Sequence, residues 1–201
     1  LEKIWNDLEL TGTPTAADGK YANDGERIVN AYQVNALGLH YYESRSFRDA
    51  FAFFQQANEL VQSDEAYVIN AVRSLAEIDA YGEAADWIAA RMAFFPDNLL
   101  VQSWDAWLAY QTTDPEKALR IYDVLFDSGH RDNDDFSAYM DLLAAAGRWD
   151  DLDRKFAEYT SGDVDDETLM LQAQLLTRRE RYEDALAILA KMAEGRAFNA
   201  D

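Results

Sequence analysis

Few residues of this sequence have the types and spacing that catalysis requires. The two histidines, His40 and His130, lie 90 positions apart, and the chain contains no cysteine. A zinc site needs three or four ligands close together, and an activated nucleophile needs a neighbouring base. Neither histidine has such a partner nearby in the sequence, and no spacing of serine, histidine and acid indicates a catalytic group. We therefore predict that each histidine is a surface or partly buried structural residue.

Two runs of carboxylates are the strongest candidates for a cation site. They are Asp132, Asp134 and Asp135, and then Asp163, Asp165, Asp166 and Glu167. A calcium loop needs alternating oxygen ligands, a central glycine and a distal glutamate, and neither run has that arrangement. Both runs precede predicted helices, where each carboxylate stabilises the positive end of the helix dipole by about 0.3 to 1 kcal/mol. We predict helix capping and no metal ion.

A glycine-rich stretch near the start of the chain invites comparison with a phosphate-binding loop. Gly12 and Gly19 are followed by Lys20. However, six residues instead of four separate the glycines, and Tyr21 stands where the loop has a serine or threonine for the metal. The comparison fails, and no cofactor is predicted.

The net charge of the chain limits the classes of partner that it is expected to bind. Acidic residues outnumber basic ones by 38 to 18, which gives a net charge of −20. Such a charge opposes nucleic acid and anionic lipid, and it favours solubility or attraction of a basic partner. No apolar run approaches the roughly 18 residues of a membrane span, so direct membrane insertion is not expected. The compartment stays open between cytoplasm and periplasm, because a short chain without cysteine occurs in either.

Helical hairpins are the elements that position the side chains of this sequence. The clearest hairpin runs from Val34 to Leu60. Its first half places four residues on one helical stripe, and its second half does the same: Val34, Leu37, Gly38 and Tyr41; then Phe47, Ala50, Phe54 and Ala57. A glycine in the first stripe lets another helix approach closely. Ser46, followed by Asp49, is a capping-box signature for the second helix.

This hairpin recurs along the chain. The residues that open each second helix are Phe47, Tyr81, Pro115, Trp149 and Tyr182, in steps of 34, 34, 34 and 33. Three places on come Ala50, Ala84, Ala118, Leu152 and Ala185, and seven places on come Phe54, Ile88, Tyr122, Phe156 and Leu189. Hairpins of one length that repeat in this way predict an all-α solenoid.

The hairpins resemble the tetratricopeptide repeats (TPRs), a family with a period of 34. Seven residues match its motif: Val34, Leu37, Gly38, Tyr41, Ala50, Phe54 and Ala57. The likeness covers roughly residues 31 to 195, and it departs from the motif where a second small residue is expected: Arg91, Leu125, Tyr159 and Met192. The resemblance implies a right-handed α-solenoid of about five TPR-like hairpins.

The predicted organisation is an N-terminal helix and linker over residues 1–25, followed by a repeat array over 26–201. Leu1, Ile4, Trp5 and Leu8 share one stripe of that helix. The approximate repeats are 31–64, 65–98, 99–132, 133–165 and 166–198. The last helix keeps Leu186 and Ile188 beside its buried stripe, so we expect further repeats after it in the intact protein.

The resemblance also implies where a partner binds, because the first helices of the family line a concave groove. The corresponding candidates are Asn35, Leu39 and Tyr42; Ile69, Asn70 and Arg73; Ser103, Trp107 and Tyr110; Ser137 and Asp141; Met170 and Gln174. Amides such as Asn35 and Asn70 would hold the backbone of an extended peptide, and the aromatic residues would offer apolar pockets. Packing between repeats is the alternative role for Tyr42 and Trp107.

The sequence thus predicts a scaffold for protein–protein interaction, not an enzyme, which binds a neutral or basic peptide or segment in its groove. Chaperone-binding members of the family grip a C-terminal carboxylate with basic and amide side chains. Only fragments of that clamp are present, so we do not predict a chaperone cofactor: those places hold Asn35, Leu39, Ile69 and Arg73.

Three alternatives remain. The chain is a regulatory or docking domain cut from a larger multidomain enzyme or secretion or assembly machine, or it is a homo-oligomerising repeat module. The third alternative is a helical-repeat RNA binder, whose expected basic groove is missing.

The packing prediction can be tested by truncating aromatic residues. Phe54→Ala or Phe156→Ala is expected to lower the free energy of unfolding by roughly 3 to 5 kcal/mol, because each change leaves a cavity in the core. Tyr110→Ala is expected to cost far less, because we assign Tyr110 to the groove. Urea denaturation of the three variants measures this, and equal losses would mean that the groove assignment is wrong.

Overall fold

The computed structural model describes residues 24–160 and 165–198 of the chain. The regular structure in these ranges consists of ten α-helices and one short 3-10 helix. The predicted N-terminal helix and the linker up to residue 23 lie outside the described residues, as do Gly12, Gly19, Lys20 and Asp163.

The helices follow one another with short turns. They are α1 (Asp24–Glu43), α2 (Phe47–Leu60), α3 (Glu65–Ala76), α4 (Tyr81–Ala89), α5 (Leu99–Gln111), α6 (Pro115–Asp127), α7 (Asn133–Ala145), α8 (Trp149–Tyr159), α9 (Asp166–Arg178) and α10 (Tyr182–Phe198). The chain forms two compact units, Leu1–Asp114 (unit 1) and Pro115–Asp201 (unit 2). Unit 1 contains α1 to α5, unit 2 contains α6 to α10, and the division falls inside the predicted third repeat.

The second helix of each hairpin begins at the residue that the period predicts: Phe47, Tyr81, Pro115, Trp149 and Tyr182. The turn before each start has one backbone conformation. The residue two places before the helix has a positive φ: Arg45 at 60°, Asp79 at 55°, Thr113 at 59°, Gly147 at 68° and Glu180 at 58°. The N–H of the next residue donates to a carbonyl five residues back, as Arg148 does to Leu143 at 2.9 Å. Each turn is therefore a Schellman motif, which satisfies carbonyls at the end of the first helix.

The first helices begin with side-chain caps. Asp64, Asn98, Asp132 and Asp165 each accept a hydrogen bond from a backbone N–H in the first turn of α3, α5, α7 and α9. The capping role predicted for the two acidic runs is confirmed at Asp132 and Asp165. The capping box predicted at Ser46 is wrong, because its side chain makes no cap hydrogen bond. Ser46 also closes the preceding Schellman turn, and its ψ of 64° is far from the 105° to 163° of the four capping residues.

Unit 1 is held together by close packing of α1, α2 and α3. Phe54 is fully buried in one cluster with Val68 and Val72 of α3. Its ring lies so close to α1 that a Cβ added to Gly38 would be 2.5 Å from Phe54 Cε1. Gly38 therefore permits the close helix approach that the sequence predicts.

The position of Phe54 recurs in the later second helices with one exception. Ile88, Tyr122 and Phe156 are 0%, 0% and 4% exposed, whereas Leu189 of α10 is 38% exposed. Tyr182 and Leu186 on the same helix are also exposed. Since α10 is the last described helix, this face has no following described helix to cover it.

The second repeat departs from the motif at Arg91, and α4 ends two residues earlier. The Arg91 guanidinium lies 3.0 Å from the centroid of the Trp87 ring. Its Nε donates to Asn58 Oδ1 at 2.6 Å, and Nη1 donates to the Trp87 carbonyl at 3.0 Å. A long side chain thus fills the place of a small residue, and a short 3-10 helix, Met92–Phe94, follows.

Unit 2 has an aromatic core. Phe126 stacks on Tyr139 with 5.1 Å between ring centroids, and Phe136 stacks on Tyr159 at 3.7 Å. Beside these rings, the buried Asp135 lies 2.7 Å from His130 Nε2 and accepts from the Tyr122 hydroxyl at 3.2 Å. His130 therefore has the structural role that the sequence predicts, and Asp135 is a buried hydrogen-bond acceptor as well as a first-turn carboxylate.

The turn conformation can be tested at Gly147. Gly147→Ala is expected to lower the free energy of unfolding by about 1 to 2 kcal/mol, because a Cβ disfavours the left-handed backbone. A Cβ there would meet nothing within 4 Å, so the cost comes from the backbone alone. Gly82→Ala is the control, because Gly82 lies in α4 and its Cβ also meets nothing. Thermal denaturation of both variants decides, and a destabilised Gly82→Ala protein would contradict this explanation.

Candidate functional site

Nine of the thirteen predicted groove residues belong to unit 1, on α1, α3 and α5, and four belong to unit 2, on α7 and α9. In unit 1, Asn35 and Ile69 are buried. Asn70 Nδ2 donates to Asn35 Oδ1 at 3.1 Å. These two amides thus connect α1 to α3, one repeat and one residue apart in the sequence.

A second polar contact joins the same helices at Tyr42. The Tyr42 hydroxyl donates to Glu77 Oε1 at 2.7 Å. The Arg73 guanidinium lies 5.4 Å from the centroid of the Tyr42 ring, which places a cation over an aromatic face. Burial and the hydrogen bond to Glu77 raise the pKa of Tyr42, so the phenol stays a neutral donor at physiological pH. Tyr42 and Arg73 form a ridge between two depressions.

The depression toward α1 and α2 is a cleft of about 260 Å³, which we call the Leu39 cleft. Its lining consists of Leu39, Tyr42, Glu43, Phe54, Asn70 and Arg73. The depression toward α5 is a cleft of about 460 Å³, which we call the Trp107 cleft. Its lining consists of Tyr42, Arg73, Ala76, Glu77, Asp79, Tyr81, Trp104 and Trp107. We call the two clefts and their shared ridge the unit 1 groove.

The Trp107 cleft has aromatic walls and an acidic edge. Trp107 lies edge-on to Trp104, with ring centroids 5.4 Å apart, and edge-on to Tyr81, at 5.6 Å. The Tyr81 hydroxyl donates to Asp79 Oδ1 at 2.6 Å, and this hydrogen bond raises the pKa of Tyr81. Trp107 is half-buried. It therefore packs against its neighbours and lines the cleft at the same time.

The other candidates lie outside these clefts. In unit 1, Ser103 is half-buried and Tyr110 is exposed on α5. In unit 2, Arg178 donates to Asp141 at 2.6 Å, which joins α7 to α9. The remaining three are Ser137, which is half-buried, and Met170 and Gln174, which are exposed. The structure thus brings five predicted residues to the unit 1 groove: Leu39, Tyr42, Asn70, Arg73 and Trp107.

Sequence reasoning missed five residues of the Trp107 cleft: Ala76, Glu77, Asp79, Tyr81 and Trp104. Glu77 and Asp79 belong to the turn after α3, and Tyr81 was interpreted as the opening residue of a second helix. The available signal was the spacing of Trp104 and Trp107, which puts both indoles on one side of α5.

The described residues give no indication of metal binding or membrane insertion. Among them, no group of three or more histidine, aspartate or glutamate side chains could hold a metal ion. None of the described helices combines the length and apolar character that a membrane crossing needs.

No protein-family model matches the sequence, and no curated protein matches it either. Solved structures do match. YrrB, a TPR protein with an unusual peptide-binding site, superposes with a TM-score of 0.63 at 18% identity, over 94% of this chain and 89% of that chain. TTC0263, a TPR protein of Thermus thermophilus, superposes with a TM-score of 0.57 at 18% identity, over 82% of this chain and 90% of that chain. The chain has the tetratricopeptide-repeat fold.

MamA from Desulfovibrio magneticus RS-1 is a further match to this fold, with a TM-score of 0.72 at 10% identity, over 85% of this chain and 97% of that chain. The prediction of an all-α solenoid of TPR-like hairpins is confirmed by these structures. At sequence identities of 10 to 18%, these matches establish the fold of the chain but do not identify its partner.

The amide contact between Asn35 and Asn70 can be tested with a double-mutant cycle. Asn70→Ala is expected to destabilise the protein by about 1 to 3 kcal/mol, because it leaves the buried Asn35 Oδ1 without its donor. Asn35→Ala and Asn70→Ala together are expected to show a coupling energy of about 0.5 to 1.5 kcal/mol in urea denaturation.

The control cycle combines Asn35→Ala with Gln55→Ala. Gln55 is an amide of α2 that donates to Glu59 at 3.2 Å, so it is expected to be uncoupled from Asn35. Additive effects of Asn35→Ala and Asn70→Ala would contradict the hydrogen bond.

Proposed function

We propose that this chain is a non-catalytic scaffold for protein–protein interaction, and that the unit 1 groove binds an extended segment of a partner protein. The observation that carries the proposal is the pair of clefts on either side of the Tyr42 and Arg73 ridge. Neighbouring clefts of about 260 and 460 Å³ suit separate side chains of one segment. An extended chain rises about 3.3 Å per residue, so residues two or more apart can enter successive clefts.

The aromatic residues of the groove are of the kind that contributes most to the affinity of an interface. Tyr42 and Trp107 are half-buried aromatic side chains held by neighbours, so little side-chain entropy is lost when a partner covers them. Aromatic side chains that become fully desolvated are the residues most often responsible for affinity at interfaces. Leu39 adds an exposed apolar surface to the smaller cleft.

The polar groups of the groove support binding in place of catalysis. Asn35 bonds to Asn70, and Tyr42 bonds to Glu77. Burial and the hydrogen bond to Glu77 raise the pKa of Tyr42, which keeps its phenol a neutral hydrogen-bond donor. We therefore assign recognition to this surface.

The fold and the charge support a peptide as the partner. YrrB, which has this fold, is described by its peptide-binding site. The net charge of −20 favours a neutral or basic segment and opposes nucleic acid. A protein or peptide without an excess of acidic residues is accordingly the expected ligand.

Selection from a displayed library of random peptides tests the proposal. Enriched peptides are synthesised, and their affinity is measured by calorimetry for the wild-type chain and for a Tyr42→Ala, Trp107→Ala variant. We expect the variant to lose about tenfold or more in affinity, because the changes remove the aromatic ring of the ridge and the Trp107 wall of the larger cleft. Circular dichroism establishes that the variant is folded.

The matched control is Phe94→Ala with Tyr182→Ala, which removes two exposed aromatic rings that line neither cleft. Its affinity is expected to stay within twofold of the wild type. Equal losses in the two variants, or no enrichment of any peptide, would refute the proposed groove.

A further inference from the structure

The Trp107 cleft differs from the rest of the unit 1 groove in combining three aromatic side chains of α4 and α5 with two carboxylates. Trp104, Trp107 and Tyr81 supply the rings, and Glu77 and Asp79 supply the carboxylates. An aromatic ring attracts a cation to its face, and the attraction grows when the cation is partly desolvated. A cleft of about 460 Å³ that contains both aromatic rings and carboxylates is suited to binding a positively charged side chain.

The carboxylates are held in place and retain acceptor capacity. Glu77 accepts from Tyr42 through Oε1, and Asp79 accepts from Tyr81 through Oδ1. Within the described part of the chain, no hydrogen bond to the second oxygen of either carboxylate is observed. Each phenol therefore orients a carboxylate without using both of its oxygens, and an ammonium or guanidinium group can approach the remaining ones.

The charge of the cleft also favours a cation. Glu77 and Asp79 carry two negative charges, and Arg73 is the one cationic residue of the lining. The Arg73 guanidinium is placed over the Tyr42 ring, at the ridge, which leaves the rings on the α5 side to a ligand. The net charge of −20 attracts a basic segment at longer range.

We propose that the Trp107 cleft binds the lysine or arginine side chain of the segment that occupies the unit 1 groove. This inference rests on the proposed function for the identity of the segment, but the cleft itself can be tested without any peptide. An acidic residue at this place in the segment is expected to weaken binding, because its carboxylate would be repelled by those of Glu77 and Asp79.

The first test uses small probes. Acetyl-lysine methylamide with a free ammonium group on its side chain, acetyl-arginine methylamide and the neutral acetyl-norleucine methylamide are titrated into ¹⁵N-labelled protein. We expect the two cationic probes to shift the indole N–H signals of Trp104 and Trp107, and the neutral probe to shift them by less than a third as much. Equal shifts with all three probes, or none, would overturn the proposal.

The second test uses peptides selected by display. Replacing the enriched lysine or arginine by norleucine or citrulline is expected to weaken binding about tenfold. Glu77→Gln with Asp79→Asn is expected to do the same to the original peptide. Both changes keep an acceptor for the phenols, and asparagine tolerates the positive φ of residue 79, so the variant is expected to fold.

The control is Asp86→Asn with Asp97→Asn, which changes the net charge equally at exposed positions outside the clefts. Its affinity is expected to stay within twofold of the wild type, and an equal loss in both variants would assign the effect to overall charge and overturn the site. Selected peptides that require Tyr42 and Trp107 but no cation would refute the site alone. Indole shifts without any selected peptide would refute the proposed function alone.

Discussion

The second helices of this chain each have an apolar face that neighbouring helices must cover. Phe54, Ile88, Tyr122 and Phe156 occupy that face in successive repeats and are 0% to 4% exposed. Leu189, at the same position of α10, is 38% exposed, because no described helix follows it. Stability in such a stack comes from neighbouring pairs instead of one central core. Within the first hairpin, Gly38 shows how closely α1 and α2 approach, since Phe54 leaves no space for a Cβ there.

The groove is a product of this pairing and not a separate addition to it. Asn35 with Asn70 and Tyr42 with Glu77 join side chains 35 positions apart, so they bring neighbouring first helices together. The same contacts fix the ridge between the two clefts. Binding at this surface would therefore meet side chains that folding has already ordered, which lowers the entropic cost of association. Packing and recognition are alternatives for a residue in principle, but Trp107 serves as wall and as packing partner together.

The sequence predicts the fold better than the site, for a physical reason. Helix starts depend on local patterns, and the period places all five second helices at the residues observed. The capping box at Ser46 failed because the preceding turn sets its backbone. The Trp107 cleft depends on residues from α1, α3, α4, α5 and a turn that meet only after the hairpins stack. The resemblance to the TPR family implied Tyr42 and Trp107, whereas nothing in the sequence singled out Glu77 and Asp79.

The five Schellman turns that precede the second helices have a consequence for how such a chain can diversify. Arginine, aspartate, threonine, glycine and glutamate all occupy the left-handed position, and all five residues are exposed. The backbone conformation is the same in all five turns, and the exposed side chain does not pack in the core. The residue type at this position can therefore change without moving a helix. Asp79 lines the Trp107 cleft, whereas its four counterparts line neither cleft of the unit 1 groove. A repeat protein of this kind can acquire new specificity at its turns while its architecture is inherited unchanged.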